Sequence, residues 1–309
     1  MKMKGMCGNA VAWGAVLLLL ASVPLGAQSA KSLLITAVGR HEGTKAAPLA
    51  AAELQLKVGG KVASVTEIKP ATERPLEVVI LLDTTHGNRE SMQFDDVRHF
   101  IESLGAQDKS AVAYMQNGQA VLATPLTSDV KAAESGLKLA SGPSASPYFC
   151  LSDLAKHWPS KDAHARRVVV MVTSGFEPYE GEVYNPSNVY VQAAINDALN
   201  AHIEVEGIFW IPAMQVQVQA TPFIFGGQSY MLQLTDATGG MSYGFGNGAP
   251  ISFKPYLEDL QRRLAGQHEV SFVLPAGVHA KGLQAVSLKS SNKADVVSSP
   301  KWVVLEDRP

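Results

Sequence analysis

The run "LEVVILLDTTHGNRESM" at residues 76–92 brings a carboxylate and hydroxyl groups together at the end of an apolar stretch. Val78 to Leu82 are continuous and rich in β-branched residues, which is typical of a strand buried on both faces of a parallel sheet. Asp83 ends the run, and two threonines follow it. Carboxylate and hydroxyl oxygens are ligands that hard cations such as Mg²⁺ prefer. The stretch therefore indicates one half of a cation site.

A second set of residues matches a pattern found in serine hydrolases. The sequence "GMSYG" at residues 240–244 fits G-x-S-x-G around Ser242, and Asp259 and His268 follow in hydrolase order. Such a nucleophile needs a helix directly after it, whereas "FGNGAP" is too rich in Gly and Pro to begin one. The chain also has no H-E-x-x-H motif and no His/Cys cluster. We therefore expect no enzyme activity, and a hydrolase that uses Ser242 stays as an alternative.

The composition is that of an ordinary globular protein. The 309 residues are 46% hydrophobic and 17% charged, with a net charge of −2. A charge this close to zero gives no electrostatic reason to expect nucleic acid or an anionic membrane as a partner.

The N-terminus has the layout of a secretory signal peptide. Lys2 and Lys4 precede an apolar run at residues 11–23, and small residues near Ala27 and Ala30 offer cleavage points. The run is short for a membrane span. We assign residues 1–27 to the signal and expect an exported protein, periplasmic or secreted, that is not inserted in a membrane. Cleavage leaves Cys150 as the last cysteine, and its apolar neighbours predict a buried, inert thiol.

Strands and helices alternate in the middle of the chain. The apolar runs at 78–82, 168–172 and 203–211 predict central strands. Helices are predicted between them, among them one at 128–140 with Ser128 or Asp129 as its N-cap, a short one at 151–158 and another near 230–240. This alternation predicts a doubly wound, mostly parallel sheet with helices on both faces, made mixed by a hairpin at Asn117-Gly118. Alternating Val and Gln within residues 212–228 predicts an inserted surface hairpin. We divide the mature chain into a β-rich segment (28–75), an α/β domain (76–266) and a second β-rich segment (267–309).

The order of these motifs resembles a von Willebrand factor type A (VWA) domain, and more narrowly the exported VWA-related proteins of acidobacterial-type genomes. "LEVVILLDTTHG" stands where the family has an apolar strand and D-x-S-x-S, and "RRVVVMVTSG" where it has a strand ending in T-D-G. "TPLTSD" is similar to the family's threonine-bearing loop, "LTDATGGMSY" to its A-x-x-T-G-G turn, and "LEDLQRRLAGQHEVSFVLP" to its last helix and strand.

The resemblance implies a Mg²⁺ site in which the first motif, a threonine and a second aspartate meet at the carboxyl edge of the sheet. Carried over to this chain, Asp83 keeps the first carboxylate and Thr85 the first hydroxyl. Gly87 replaces the last serine of the motif, and Ser174 replaces the second aspartate. One of the two negative charges is therefore missing, which weakens the binding of a hard cation sharply.

Further residues belong to this interpretation. Thr127 could supply the family's threonine oxygen, and Glu177 is the candidate for a substitute carboxylate. The family's G-G-T corresponds to residues 146–148, where the sequence offers no matching hydroxyl by our alignment. His86 lies in the loop beside Asp83 and, with Gly87 and Glu177, is assigned to the binding surface.

The sequence thus predicts an exported, non-catalytic VWA-like module that binds an unknown protein or cell-envelope partner. Its metal site is expected to be degenerate and to hold no cofactor. The first alternative is a Mg²⁺-dependent adhesion module that uses Asp83 and Thr85, and the second is the hydrolase that uses Ser242.

Overall fold

The computed structural model describes residues 31–41, 44–83, 93–138, 146–179, 185–211, 221–248 and 250–305. Its strands are β1 (Lys31–Gly39), β2 (Leu54–Val58), β3 (Lys61–Pro70), β4 (Leu76–Asp83), β5 (Lys109–Gln116), β6 (Gln119–Leu122), β7 (Arg166–Thr173), β8 (Ile203–Ile211), β9 (Ser242–Asn247), β10 (Gln267–Val273), β11 (Gly282–Ser290), β12 (Asp295–Ser298) and β13 (Trp302–Leu305). Its helices are α1 (Phe94–Glu102), α2 (Val130–Glu134), α3 (Pro147–Lys156), α4 (Val189–Asn200), α5 (Thr221–Thr238) and α6 (Lys254–Ala265).

The middle of the chain forms a six-stranded sheet in the order β6-β5-β4-β7-β8-β9. β4 pairs in parallel with both β5 and β7, and β8 and β9 continue the parallel arrangement. β6 is antiparallel to β5 after a turn at Asn117 and Gly118, both of which have positive φ. This architecture confirms the predicted mixed, mostly parallel α/β sheet.

Every residue of β4 is buried, as its continuous apolar sequence predicts. Because successive side chains point to opposite faces, Val79 and Leu81 pack toward α3, α4 and α5. Val78, Ile80 and Leu82 pack toward α1 and α6 on the other face. Each such side chain stabilises the fold by about 1.5–3 kcal/mol relative to exposure. The two cores hold the strand ends at fixed positions along the sheet edge.

The two β-rich segments at the ends of the chain form one structure. They pair into a seven-stranded sheet in the order β12-β1-β10-β3-β2-β11-β13, in which C-terminal β10 lies between N-terminal β1 and β3. A third hydrophobic core packs against this sheet, and in it Leu56, Val270 and Phe272 are fully buried. The flanking elements predicted as separate segments are therefore one antiparallel sheet.

The two sheets meet where α6 leads into β10. The Ala37 amide donates to the Gly266 carbonyl at 2.9 Å, and a Cβ on Gly266 would collide with the Ala37 carbonyl oxygen. Arg166 of β7 is buried here and donates to the Leu264 carbonyl at 3.0 Å and to Gln267 Oε1 at 2.7 Å. The contact between the two sheets is thus close-packed and polar.

Three predicted elements differ from the structure. α3 begins at Pro147 rather than at Leu151, because Ser146 caps it and proline is well suited to the first helical turn. The predicted helix at 128–140 ends at Glu134, although its predicted cap, Asp129, does accept from the Ala132 amide. Residues 221–228, predicted as part of a surface hairpin, are the start of α5, and residues 212–220 lie outside the described part of the chain.

Candidate binding site at the carboxyl edge of the parallel sheet

Asp83 and Thr173 end two neighbouring strands, β4 and β7, and their side chains meet. Thr173 Oγ1 donates a hydrogen bond of 2.8 Å to Asp83 Oδ2. Asp83 is 3% exposed and Thr173 is fully buried. A buried carboxylate needs such donors, since burying the charge without them is costly. The carboxylate at the tip of β4 is therefore bound within the protein by a hydroxyl from the adjacent strand.

The turn that follows β7 depends on a glycine. Gly175 has a φ of +69°, and a Cβ there would lie 2.7 Å from Met231 Cγ and 2.8 Å from the Gly227 carbonyl oxygen of α5. Its amide donates to Thr173 Oγ1 at 3.2 Å, and its carbonyl accepts from the Tyr148 hydroxyl at 2.8 Å. The turn is thus fixed from three sides, by β7, α3 and α5.

A second buried carboxylate lies on the same edge. Ser146, the N-cap of α3, accepts a hydrogen bond from the Phe149 amide at 3.3 Å, and its hydroxyl donates one to Glu177 Oε2. Glu177 Oε1 accepts from the Tyr179 amide at 3.0 Å, and Glu177 is 1% exposed. No hydroxyl that matches the family's threonine is expected at residues 146–148, and the hydroxyl of Ser146 instead caps α3 and binds Glu177. A serine directly before a proline and a helical pattern is an N-cap signal that could have identified it.

Ser174 stands where the family has its second aspartate. Its side-chain oxygen accepts from the Phe176 amide at 3.3 Å, so the hydroxyl closes a local turn. Thr85, His86 and Gly87 lie in residues 84–92, outside the described part of the chain.

The proposed role of Thr127 is wrong. Thr127 forms a β-bridge with Ser110, exchanging backbone hydrogen bonds of 2.9 and 3.1 Å. Ser110 pairs with Val78, five residues before Asp83 along β4. At the usual rise of a strand this separation is about 16 Å, so Thr127 lies at the opposite end of the sheet. The alignment failed because Thr127 follows edge strand β6, which runs antiparallel to its neighbour.

The donor set among the described residues does not fit a Mg²⁺ site. It consists of Asp83, Glu177 and hydroxyls that already donate to these carboxylates or accept backbone amides. Within the same residues no group of three His, Cys, Asp or Glu side chains could hold a metal ion. Mg²⁺ dehydrates reluctantly and needs several well-placed oxygens. We derive no step of the function through a metal.

Three aromatic rings lie beside this edge. Phe149 stacks on Tyr179 with ring centroids 5.4 Å apart, and Tyr190 meets Phe149 edge-on at 4.9 Å. Phe149 and Tyr190 belong to the first turns of α3 and α4, and Tyr179 lies between β7 and α4. The helices α3 and α4, which cover this sheet, begin at its carboxyl edge. The three rings therefore form a surface next to Asp83 and Glu177.

Cys150 lies beneath the edge and is fully buried, as predicted. Burial, reinforced by the negative charges of Asp83 and Asp153, raises the pKa of the Cys150 thiol to about 12. A thiol that stays protonated at neutral pH is a poor nucleophile.

The residues of the hydrolase pattern are not assembled into a triad. Ser242 is in β9 of the parallel sheet, whereas His268 is in β10 of the antiparallel sheet, paired with Ile35. Asp259 accepts from the Tyr243 hydroxyl at 2.7 Å, and His268 Nδ1 contacts the Gly266 carbonyl at 2.9 Å. No helix follows Ser242 directly, so the nucleophile turn of a hydrolase is absent there.

The sequence matches no established family profile and no curated protein. Solved structures do match in shape. The open form of the pilus adhesin SpaC from Lactobacillus rhamnosus GG is 10% identical, with a TM-score of 0.47 over 80% of this chain and 47% of that one. Proximal thread matrix protein 1 of the mussel byssus, solved with a zinc-occupied metal-ion-dependent adhesion site, is 13% identical, with a TM-score of 0.45 over 62% and 48%. The SpRpn10 VWA domain is 11% identical, with a TM-score of 0.40 over 60% and 94%.

The chain thus spans about half the length of the first two of these proteins. Its own topology agrees with the VWA resemblance, because the two motif strands, β4 and β7, are neighbours and bring Asp83 and Thr173 together. The fold is VWA-like. The six-stranded sheet and its helices extend from β4 to α6, and the antiparallel sheet is formed by the chain before and after them. No helix within the described ranges is long and apolar enough to cross a membrane.

Proposed function

We propose that this protein is an exported, non-catalytic binding module that contacts another protein through the carboxyl edge of its VWA-like sheet, without a metal ion. The observation that carries the proposal is the hydrogen bond from Thr173 to Asp83. This hydrogen bond engages Asp83, the first carboxylate of the family's metal site, inside the fold. Ser174, at the position of the second aspartate, supplies no negative charge.

The proposal of a vestigial metal site is tested by thermal-shift titration with Mg²⁺, Mn²⁺ and Ca²⁺ on the native protein and on Asp83→Ala. A ligand that binds only the folded state raises its stability by about 2.7 kcal/mol at a hundredfold excess over Kd. We expect no saturable shift. A shift at millimolar metal that disappears in Asp83→Ala would support the alternative, a Mg²⁺-dependent adhesion module.

Binding through this edge is tested by site-specific photo-crosslinking. A benzophenone amino acid replaces Tyr179 at the edge or, as a matched control, Val62 on the antiparallel sheet, since the two residues are 58% and 59% exposed. The protein is exposed to the envelope fraction of its source cells. We expect one saturable adduct from position 179 that is absent from position 62. Equal labelling from both positions would show that contact with this edge is not specific.

Export is tested separately. Secretion of the full chain should yield a mature protein that begins after Ala27 or Ala30, as read by N-terminal mass spectrometry. Retention of residues 1–27 in the cell-bound protein would contradict it.

A further inference from the structure

Phe149, Tyr179 and Tyr190, here named the aromatic patch, are not part of the hydrophobic core. Tyr148, the neighbour of Phe149 along α3, points inward and is fully buried. Tyr179 is 58% exposed, and Val189, next to Tyr190, is 68% exposed. The rings of the patch pack on one another, at centroid distances of 5.4, 4.9 and 6.2 Å. Aromatic side chains held rigidly at a surface are typical anchors of protein interfaces.

The described residues nearest the patch along the chain carry negative charge only. Within the described ranges 146–150, 174–179 and 185–190, Glu177 is the one charged residue, and there is neither Lys nor Arg. The described carboxylates at the base of the patch are Glu177 and, at the tip of β4, Asp83. Charge complementarity therefore favours a cationic partner on this surface.

The positive ends of α3 and α4 also lie at this edge and would favour an anion. These ends are already occupied by groups of the protein itself. Asn188 Oδ1 accepts from the Tyr190 and Val191 amides at 2.9 and 3.2 Å, at the start of α4. Ser146 caps α3 and hydrogen bonds to Glu177, which places a carboxyl group at that helix end. The formal charges therefore outweigh the remaining partial charges.

We propose that the aromatic patch binds a basic segment of a partner protein, with an Arg or Lys side chain resting on the exposed ring of Tyr179. The electron-rich face of a tyrosine ring attracts a cation, and a guanidinium also stacks on it. This inference rests on the proposed function and specifies its partner. It differs from metal-dependent recognition, in which a bound cation would draw an acidic group to the same edge.

The test uses synthetic peptides on the full chain, with affinity measured by isothermal titration calorimetry. An unstructured arginine-rich peptide is compared with matched peptides in which every arginine is replaced by glutamine or by glutamate. We expect the arginine peptide to bind tightest and to weaken as salt is raised, since exposed charges are screened. Tighter binding of the glutamate peptide would overturn the proposal in favour of an acidic partner.

Variants locate the binding. Tyr179→Ala should weaken the arginine peptide about fivefold, since an exposed cation–π contact is worth roughly 1 kcal/mol. Tyr179→Phe should retain the affinity because it keeps the ring, and Val62→Ala, equally exposed on the other sheet, should leave it unchanged. Tyr190→Leu, which removes a second ring, should also weaken binding. Equal affinities in all four variants would refute the proposal.

This failure is distinguishable from failure of the proposed function. A saturable adduct from position 179 whose partner contacts the patch through an acidic or uncharged segment would leave the binding module intact and exclude the basic ligand. The absence of any adduct, together with equal binding of all three peptides, would overturn both.

Discussion

Replacing Glu206 by glutamine should stabilise the protein increasingly as the pH rises. Glu206 is fully buried on β8, and Glu204 lies two residues earlier on the same face of the strand. Glu206 Oε2 accepts from the Met241 amide at 2.8 Å, and Glu204 Oε2 accepts from Gln267 Nε2 at 2.8 Å. Two carboxylates so close in a buried site cannot both ionise cheaply.

The charged groups facing this pair are few. Arg263 of α6 is buried, but its Nε lies 3.9 Å from Glu206 Oε1, beyond hydrogen-bond length. Arg166 acts on Glu204 from β7. Burial, followed by the charge of Glu204, raises the pKa of Glu206 well above its ordinary value of 4.5, and burial also raises the pKa of Glu204. Tyr243 of β9 also interacts with the charge of Glu206, and its hydroxyl donates to Asp259 of α6.

The sign of the pH dependence follows from these directions. Below pH 4.5 the glutamate is protonated in both the folded and the unfolded protein, and the mutation has little effect through this group. Above it, the unfolded protein releases the proton while the folded protein retains it, so stability falls as pH rises toward the folded pKa. Glutamine cannot ionise and removes this loss. The gain can reach about 1.4 kcal/mol per pH unit, or about 2–3 kcal/mol over the first two units.

The assay is urea unfolding followed by tryptophan fluorescence at several pH values between 4.5 and 7.5, with Glu258→Gln as the control. Glu258 is on α6, and its side chain is 60% exposed, so its replacement should change the free energy of unfolding by less than about 0.5 kcal/mol at every pH. A destabilisation by Glu206→Gln that does not depend on pH would refute the reasoning. It would mean that Glu206 is ionised and held by Arg263.

Three further predictions concern the sheet edge. Gly175→Ala should destabilise the fold by about 2–4 kcal/mol in urea unfolding, whereas Gly60→Ala, with a similar positive φ but nothing within 4 Å of its Cβ position, should cost about 1 kcal/mol. Equal costs would exclude a role for the contact with α5. Thr173→Val should cost about 1–3 kcal/mol by removing a donor to buried Asp83, and Thr173→Ser should restore most of it, again by urea unfolding. In a chain carrying Cys7→Ser, the folded thiol of Cys150 should form roughly a thousandfold less thiolate at pH 8 than an unperturbed cysteine, and so should react with a disulfide reagent only after unfolding.

Much of the fold was predictable because burial left a pattern in the sequence. The continuous apolar runs of β4 and β7 identify strands covered on both faces, and the Asn117-Gly118 pair identifies the hairpin. The first half of α5 was not predicted because the alternation of Val and Gln just before it is typical of strands. Packing of the helix against the sheet outweighs such a local pattern. The joining of both chain ends in one sheet depends on contacts between residues more than 200 positions apart, such as Leu33 and Val270.

The candidate site was predictable in part for the same reason. Motif order located Asp83 and Glu177, since both follow strands that the apolar pattern identifies. It could not locate their partners, because the hydroxyls of Thr173 and Ser146 come from other elements. The buried pair Glu204 and Glu206 was hidden as well, since "IEVEG" alternates as a half-exposed strand would. Only the packing of α6 over β8 makes that face an interior one.

The two carboxylates at the carboxyl edge are bound in the same manner, and this similarity bears on how the edge keeps its shape. Each accepts a hydrogen bond from a hydroxyl of a neighbouring element, Asp83 from Thr173 of β7 and Glu177 from Ser146 at the cap of α3. A hydrogen bond to a charged group is worth about 1.5–3 kcal/mol, enough to fix a loop against its neighbour. A metal ion would organise the same loops by drawing oxygens together around itself. Among the described residues, hydroxyl donors connect these neighbouring elements, and this supports the metal-independent binding surface proposed above.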